Sequence, residues 1–521
     1  MTGERTMKKY CPWLLGVGIL ALLLATQWNW FAMPFERDEG EYSYAAWLLQ
    51  TGGVPYAESF LQKPPMIIYA YWLGQVVFSD TAVWPPRVLG FLCVALTLFI
   101  TSWIAWREYG RQAGVWTAFL FVPMVAFPHF SPVAANTEKF MNLPMMLTVA
   151  LAVYGRGYPR WWVGALAGMA SVFAVLFKPI CGPVLAVVFV LWGVDVLRQK
   201  KGVIRATALC SSVFLGAVVG CLAAFAPLAL KGALGAMWES AFVFNRAYAA
   251  LSNLSMFGPM IETVAVWWFP LVVLAVYFVF FSRLSRTGYW AVLLGVSVAS
   301  VSASGNGHYS LMLIPFWAVI GGAALGDLHR RIEAVGFRLR VLKIAVAMAS
   351  VLILFIPLFP KLFLSPRQLC ASLYGDNPFL ESAEVAKVVA DLTGPGDRVY
   401  VAGSEPQILF HAKRRSITRF VISYPLMLPT VYAKGYQQEV LQSLTFMPPE
   451  VIVFVIHPLS WLGHPSTGPS FFPQFNHLLK TRYTEVGSYI WERQGEKGRW
   501  VSPYRADVPG NEYLVVFRKK R

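Results

Sequence analysis

The sequence predicts a polytopic α-helical membrane protein, with about eleven transmembrane helices, followed by a soluble α/β domain on the outer face. Three observations predict it. The 521 residues are 57% hydrophobic and 14% charged, whereas an ordinary soluble domain is about 25% charged and about 45–50% apolar. Apolar runs near the ~20 residues that a bilayer-crossing helix needs recur along the chain. After Pro360 these runs give way to short apolar stretches bounded by turn residues.

Read in order, the expected spans are Pro12–Met33, Pro86–Trp106, Ala113–Phe130, Phe140–Tyr154, Trp161–Phe177 and Ile180–Leu197. They continue with Ala206–Leu230, Ile261–Phe281, Tyr289–Ser304, His308–Leu325 and Val341–Pro360. The first follows Lys8 and Lys9 as a signal peptide would, but it lacks a small-x-small cleavage site and reads as an uncleaved span. Gly164 and Gly168 form a G-x-x-x-G, read as close helix packing inside one chain.

Charge placement sets the orientation. With the N-terminus in the cytoplasm, the inner segments before Pro360 carry 18 Lys and Arg against 7 in the outer ones. The whole after Pro360 then lies outside the plasma (inner) membrane. This distribution also accounts for the net charge of +17. No basic stripe interleaved with aromatics appears, so nucleic acid is not an expected partner. The six Cys show neither a metal-ligand spacing nor a disulfide framework.

The chain thus divides into a membrane domain, 1–360, with a long first outer loop over 34–85, and an extracytoplasmic domain, 361–521. In the latter, Asp397–Gly403 and Glu450–Val455 read as buried strands and Glu381–Leu392 as an amphipathic helix.

The first outer loop is unusually acidic. Of the 14 Asp and Glu before Pro360, six lie in it: Glu36, Asp38, Glu39, Glu41, Glu58 and Asp80. Asp38 precedes Glu41 by three residues, the spacing of a capping box. The residues alone support capping and catalysis equally. The following Ala45–Leu49 is expected to lie in the membrane interface, with Trp47 and Leu48 toward lipid. Gln62-Lys63-Pro64-Pro65 fixes a lysine just outside the hydrocarbon, where it can snorkel to headgroups or hold the phosphate of a lipid-linked donor. Lys178, before Pro179, has the same two readings.

Asp38-Glu39-Gly40-Glu41-Tyr42, Gly53-Val54-Pro55-Tyr56 and Lys63-Pro64-Pro65 together resemble the first outer loop of the GT-C glycosyltransferases. They are most similar to glycosyltransferase family 39, the protein mannosyltransferases and aminoarabinose transferases. The resemblance continues at Asn136-Thr137-Glu138 and at Gly307-His308-Tyr309. It implies a sugar donor on polyprenyl phosphate and inversion at the anomeric centre. On that resemblance Asp38 matches the general base, Glu39 its neighbour that helps place the acceptor, and Lys63 the lysine near the donor phosphate. On the same resemblance Glu138 falls where a second outer loop supplies another acidic group for substrate binding, and His308 and Tyr309 fall where outer helix ends approach the phosphate. Gln62 departs from the aminoarabinose transferases, which carry Glu there; this counts against that substrate and leaves the general chemistry intact.

The chemistry is coherent by itself. A positioned carboxylate takes the proton of an acceptor hydroxyl, which is typically worth 10²–10⁴-fold, and a cation such as Lys63 stabilises the departing phosphate. No cofactor is required, although an acidic cluster can also hold Mg²⁺ or Mn²⁺. The expected partners are the bilayer, a polyprenyl-phosphate sugar and a glycolipid, polysaccharide or protein acceptor. The rival readings are a secondary transporter and a non-catalytic subunit of an envelope glycan pathway. The spans hold few acids, Asp195 and Asp327 near their inner ends, where a transporter is expected to carry them near the midplane.

Overall fold

The computed structural model describes residues 2–128, 134–157, 160–251, 268–302, 307–333, 351–463, 467–490, 498–502 and 513–521, with isolated positions between 341 and 349. Parts of the expected spans Ala113–Phe130, Ile261–Phe281, Tyr289–Ser304 and Val341–Pro360 lie outside the described residues. The chain forms two compact units. One comprises 1–31, 88–224 and 253–363; the other comprises 32–87, 225–252 and 364–521.

The first unit is helical. Among the described residues, four helices are long and apolar enough to cross a membrane: Trp84–Tyr109, Pro179–Leu197, Gly202–Leu230 and Gly307–Arg331. Their burial separates inner from outer members. The best apolar window of Gly307–Arg331 is 94% buried, while that of Gly202–Leu230 is 22% buried, with Val203, Phe214 and Leu222 exposed as lipid-facing side chains would be. Glycines set the closest packing. A Cβ at Gly322 would overlap Thr117, and one at Gly168 would overlap the Val213 carbonyl. The G-x-x-x-G of the Trp161–Phe177 helix therefore packs inside the chain, against Ser212 and Val213.

The second unit is built on a six-stranded sheet: β1 (Arg398–Ala402), β2 (Arg415–Ser416), β3 (Val451–Ile456), β4 (Tyr483–Ile490), β5 (Arg499–Val501) and β6 (Tyr513–Lys519), in the order β2-β1-β3-β6-β4-β5. β1 runs parallel to β2 and β3; β6 pairs antiparallel with β3 and β4. The expected strands and the 381–392 helix (Phe379–Leu392) are present.

Side chains alternate across this sheet, so two cores form. Val399, Val401, Val451 and Val453 face one core with Val385 and Val389, together with Phe35, Tyr44, Trp47 and Leu48. Tyr400 and Ile452 face the other, with Phe60, Tyr436, Val440 and Phe475. The Arg37–Gln50 helix is thus one of the layers covering the sheet. Trp47 and Leu48, expected toward lipid, are 8% and 0% exposed in this core. An apolar run looks the same whether lipid or a sheet covers it. The Met66–Val77 helix instead leaves Trp72, Leu73, Val76 and Val77 exposed, as an interfacial helix does.

Candidate functional site

The sheet-bearing unit holds Asp38, Glu39 and Lys63. The Arg37–Gln50 helix begins with a capping box, but Glu36 is the cap where the sequence pointed to Asp38. The Glu36 carboxylate accepts from the Asp38 and Glu39 amides, both at 3.0 Å, and Glu39 Oε2 accepts from the Glu36 amide at 3.4 Å. Asp38 is thereby placed in the first turn, where helix N–H groups favour negative charge. Its residue is half-buried, and the Tyr42 hydroxyl donates to its Oδ2 at 3.4 Å.

Both neighbours of Asp38 are tied down. Arg87 donates from Nε to Glu39 Oε1 at 2.9 Å and from Nη2 to Glu39 Oε2 at 2.6 Å, a fully buried two-point pair. Arg37 donates from Nε to the Ser404 carbonyl at 2.7 Å and from Nη2 to Glu405 Oε1 at 2.9 Å. Its guanidinium also lies 5.5 Å from the Phe379 ring and 5.3 Å from the Tyr424 ring. Glu405 is wholly buried at the end of β1, and its other oxygen accepts from Ser460 Oγ at 2.5 Å and the Ser404 amide at 2.8 Å. One turn further, Gly40 lies against the start of the Gln407–Ala412 helix, where a Cβ would come within 2.7 Å of the Gln407 nitrogen.

Burial pushes the Glu36 carboxyl well above the usual carboxylate range, and the charges of Asp38 and Glu39 add to this. Glu41, 3% exposed, is raised first by burial and then by Asp38, while Lys63 pulls it down.

Lys63 sits on a constrained loop. Buried Tyr56 adopts a φ of 70° and donates its hydroxyl to the Lys63 carbonyl at 2.8 Å. Asn245 donates to the Gln62 carbonyl at 2.6 Å, and two prolines follow. Left-handed backbone is uncommon for a bulky residue, so the loop is held by its surroundings.

The helical unit brings Glu138, Lys178, His308 and Tyr309 together from three separate segments. Lys178 makes an ion pair with Glu138, which is fully buried, and Thr137 Oγ1 donates to Glu138 Oε2 at 3.2 Å. His308 Nε2 lies 3.8 Å from Glu138 Oε1. The Lys178 ammonium stands 3.2 Å from the Tyr309 ring centroid, and the His308 and Tyr309 rings meet edge-on at 4.9 Å.

Arg37, Arg87, Glu405 and Ser460 were not singled out as site residues by the sequence. The two arginines counted only toward the outer charge. No signal local to the sequence marks the pairing, because Arg37 and Glu405 are 368 residues apart. Among the described residues no three His, Cys, Asp or Glu converge as a metal-ligand set. A cavity of about 660 Å³ opens at the other end of β1, beside Glu58, Arg398, Thr418 and Glu450; none of the predicted site residues lines it.

No family model and no curated protein matches the chain. Solved structures do. ArnT from Cupriavidus metallidurans bound to undecaprenyl phosphate superposes with a TM-score of 0.62 at 14% identity, covering 97% of both chains. The apo form of the same protein gives 0.57 at 15% identity over 98% of both. The oligosaccharyltransferase AglB from Archaeoglobus fulgidus, in complex with an inhibitory peptide and a dolichol-phosphate, gives 0.54 at 12% identity over 98% of this chain and 76% of its own. Identities this low speak for architecture alone: the chain shares the fold of these structures, as its resemblance to the GT-C glycosyltransferases led one to expect.

Proposed function

We propose that the chain is an integral membrane glycosyltransferase that moves a sugar from a polyprenyl-phosphate donor to an acceptor hydroxyl at the extracytoplasmic face, with inversion. The observation that carries this reading is Asp38, a half-buried carboxylate between two neighbours locked in buried ion pairs. The likeness to proteins solved with undecaprenyl phosphate and dolichol-phosphate supports a lipid-phosphate donor.

In this reading Asp38 takes the proton of the acceptor hydroxyl as its oxygen bonds to the anomeric carbon. The bond from that carbon to the phosphate oxygen breaks, and polyprenyl phosphate leaves. Lys63 meets the charge growing on that phosphate. Glu39, held by Arg87, keeps the helix turn in place so that Asp38 presents one geometry. The Glu138, Lys178, His308 and Tyr309 cluster is assigned to substrate binding. The scheme itself requires no metal. Its topology is that of eleven spans with the N-terminus cytoplasmic, and 361–521 as the extracytoplasmic domain.

The test is transfer from radiolabelled polyprenyl-phosphate sugars to an envelope acceptor by the reconstituted protein. Wild type is expected to transfer, and Asp38→Asn to lose at least ~100-fold as a general base is removed. Undiminished transfer by a folded Asp38→Asn protein would make Asp38 structural. Absence of transfer by wild type from every donor would overturn the enzyme reading.

A further inference from the structure

We propose that Glu405, in the C-terminal sheet domain, is a positioning residue for the transfer reaction: by neutralising Arg37 it sets how strong a base Asp38 is. The inference rests on the reading of Asp38 as the general base.

The geometry comes from one corner of the sheet. β1 ends at Ala402, and the chain turns through Gly403 and Ser404 to Glu405, which is wholly buried. Its carboxylate is held by two groups of the same domain, Ser460 Oγ and the Ser404 amide, which fix one oxygen and aim the other at Arg37. The Ser404 carbonyl accepts from Nε of the guanidinium at 2.7 Å, Asn377 Oδ1 accepts from Nη2 at 3.3 Å, and the Phe379 and Tyr424 rings lie beside it. A guanidinium this enclosed is reached by little water, so its charge must be cancelled locally or felt by its neighbours.

Asp38 is the next residue in the chain. Its own helix also carries Glu36, Glu39 and Glu41. Among the described residues, the charged and titratable groups that other elements turn toward this turn include Lys63 beside Glu41, Tyr71 and Tyr424 near Asp38, Arg87, Tyr374 and Cys370 near Glu39, and Glu405 and His457 near Arg37. Arg87 is matched by Glu39 in a two-point pair, so Arg37 is the cation here whose neutrality depends on a residue of the C-terminal domain. With Glu405 ionised, Arg37 is balanced and Asp38 keeps its affinity for a proton. With Glu405 neutral, the unbalanced guanidinium draws on the Asp38 carboxylate and weakens it as a base.

The direction can be measured. In Glu405→Gln, which keeps the shape of the side chain, the acid limb of the transfer profile is expected to move to lower pH. The plateau kcat is expected to fall by ~10-fold or more, with the KM for the polyprenyl-phosphate sugar within about 3-fold of wild type. The neutral pair Arg37→Gln/Glu405→Gln removes the stray charge, so its acid limb is expected to return toward the wild-type position. A scaffold role for Glu405 would lower the amount of folded protein and leave the limb where it was.

A second measurement needs no turnover. A carbodiimide labels protonated carboxyl groups, and peptide mass spectrometry of the full chain in detergent gives the pH midpoint for labelling Asp38. That midpoint is expected to fall in Glu405→Gln and to recover in the double variant; the same midpoint in all three proteins would overturn the inference. Transfer by Asp38→Asn at the wild-type rate would instead remove the reading beneath it. A dead Asp38→Asn beside a wild-type Glu405→Gln would sink the inference and leave that reading intact.

Discussion

Both units pair their hidden carboxylates with cations, and they differ in what stands beside the pair. In the helical unit Glu138 is hidden completely, with Lys178 paired to it and His308 close by. In the sheet-bearing unit the hidden carboxylates, Glu39 and Glu405, serve the residues on either side of Asp38, and Asp38 itself is left half-buried. The comparison teaches that burial and pairing mark the groups that hold a site together. On the reading proposed above, the group that does chemistry is the one those pairs flank.

The two acids are therefore expected to respond differently to substitution. Glu138→Ala strands Lys178 in a buried setting and is expected to cost about 3–5 kcal/mol of stability. The neutral pair Glu138→Gln/Lys178→Met is expected to recover most of it, and Asp38→Asn to leave stability nearly unchanged. Thermal unfolding in detergent reads all three, and equal losses at Asp38 and Glu138 would break the contrast.

A second comparison sharpens it within the sheet-bearing unit, at half-buried His411 and buried Glu41, for which no ion pair is seen among the described residues. His411 stacks on Phe35 and is pushed down to about 4, first by burial and then by the Lys413 charge. The unfolded chain takes this proton near 6.5 and the folded chain only near 4, so stability is lost as the pH falls between those values. His411→Phe is expected to flatten that limb by up to about 3 kcal/mol, measured as stability against pH; an unchanged slope would count against it.

Glu41 gives the smallest effect, with the opposite slope. Its folded carboxyl is raised well above 4.5, so the folded state binds the proton more tightly, and stability falls as the pH rises past that value. Glu41→Gln has no charge to bury and is expected to be more stable than wild type by about 1–3 kcal/mol at neutral pH. The gain should shrink toward pH 4.5, and a gain independent of pH would point to another cause.

How much of this was legible depended on distance along the chain. The strands around Val399 and Val451 and the helix before them were visible because alternation and period are local. Resemblance to known motifs singles out Glu138, His308 and Tyr309, and Lys178 stands out only as a lysine at a span end; that the four meet was not legible. The cap was misplaced by two residues because Asp38 and Glu41 carry the right spacing, while Glu36, an unusual cap, makes the bonds. Arg37 and Glu405 could not be joined at all. Nothing periodic links residues 368 positions apart, and an arginine facing outward near a membrane looks like any other topological charge. The same blindness sent Trp47 to lipid.

The shared core of the sheet-bearing unit has a consequence for how the protein is made. Phe35, Tyr44, Trp47 and Leu48 are among the first residues of this unit to be synthesised, yet the strands that cover them come hundreds of residues later. Over the 368 residues that separate Arg37 from Glu405, at ribosomal rates of about 5–20 residues per second, the wait is roughly 20–70 s. During that interval the Asp38 segment has no sheet to fold on. A nascent chain halted before β1 would hold every motif that carries the resemblance and lack the surface the Asp38 segment packs on, so on the proposed reading activity is acquired late in synthesis.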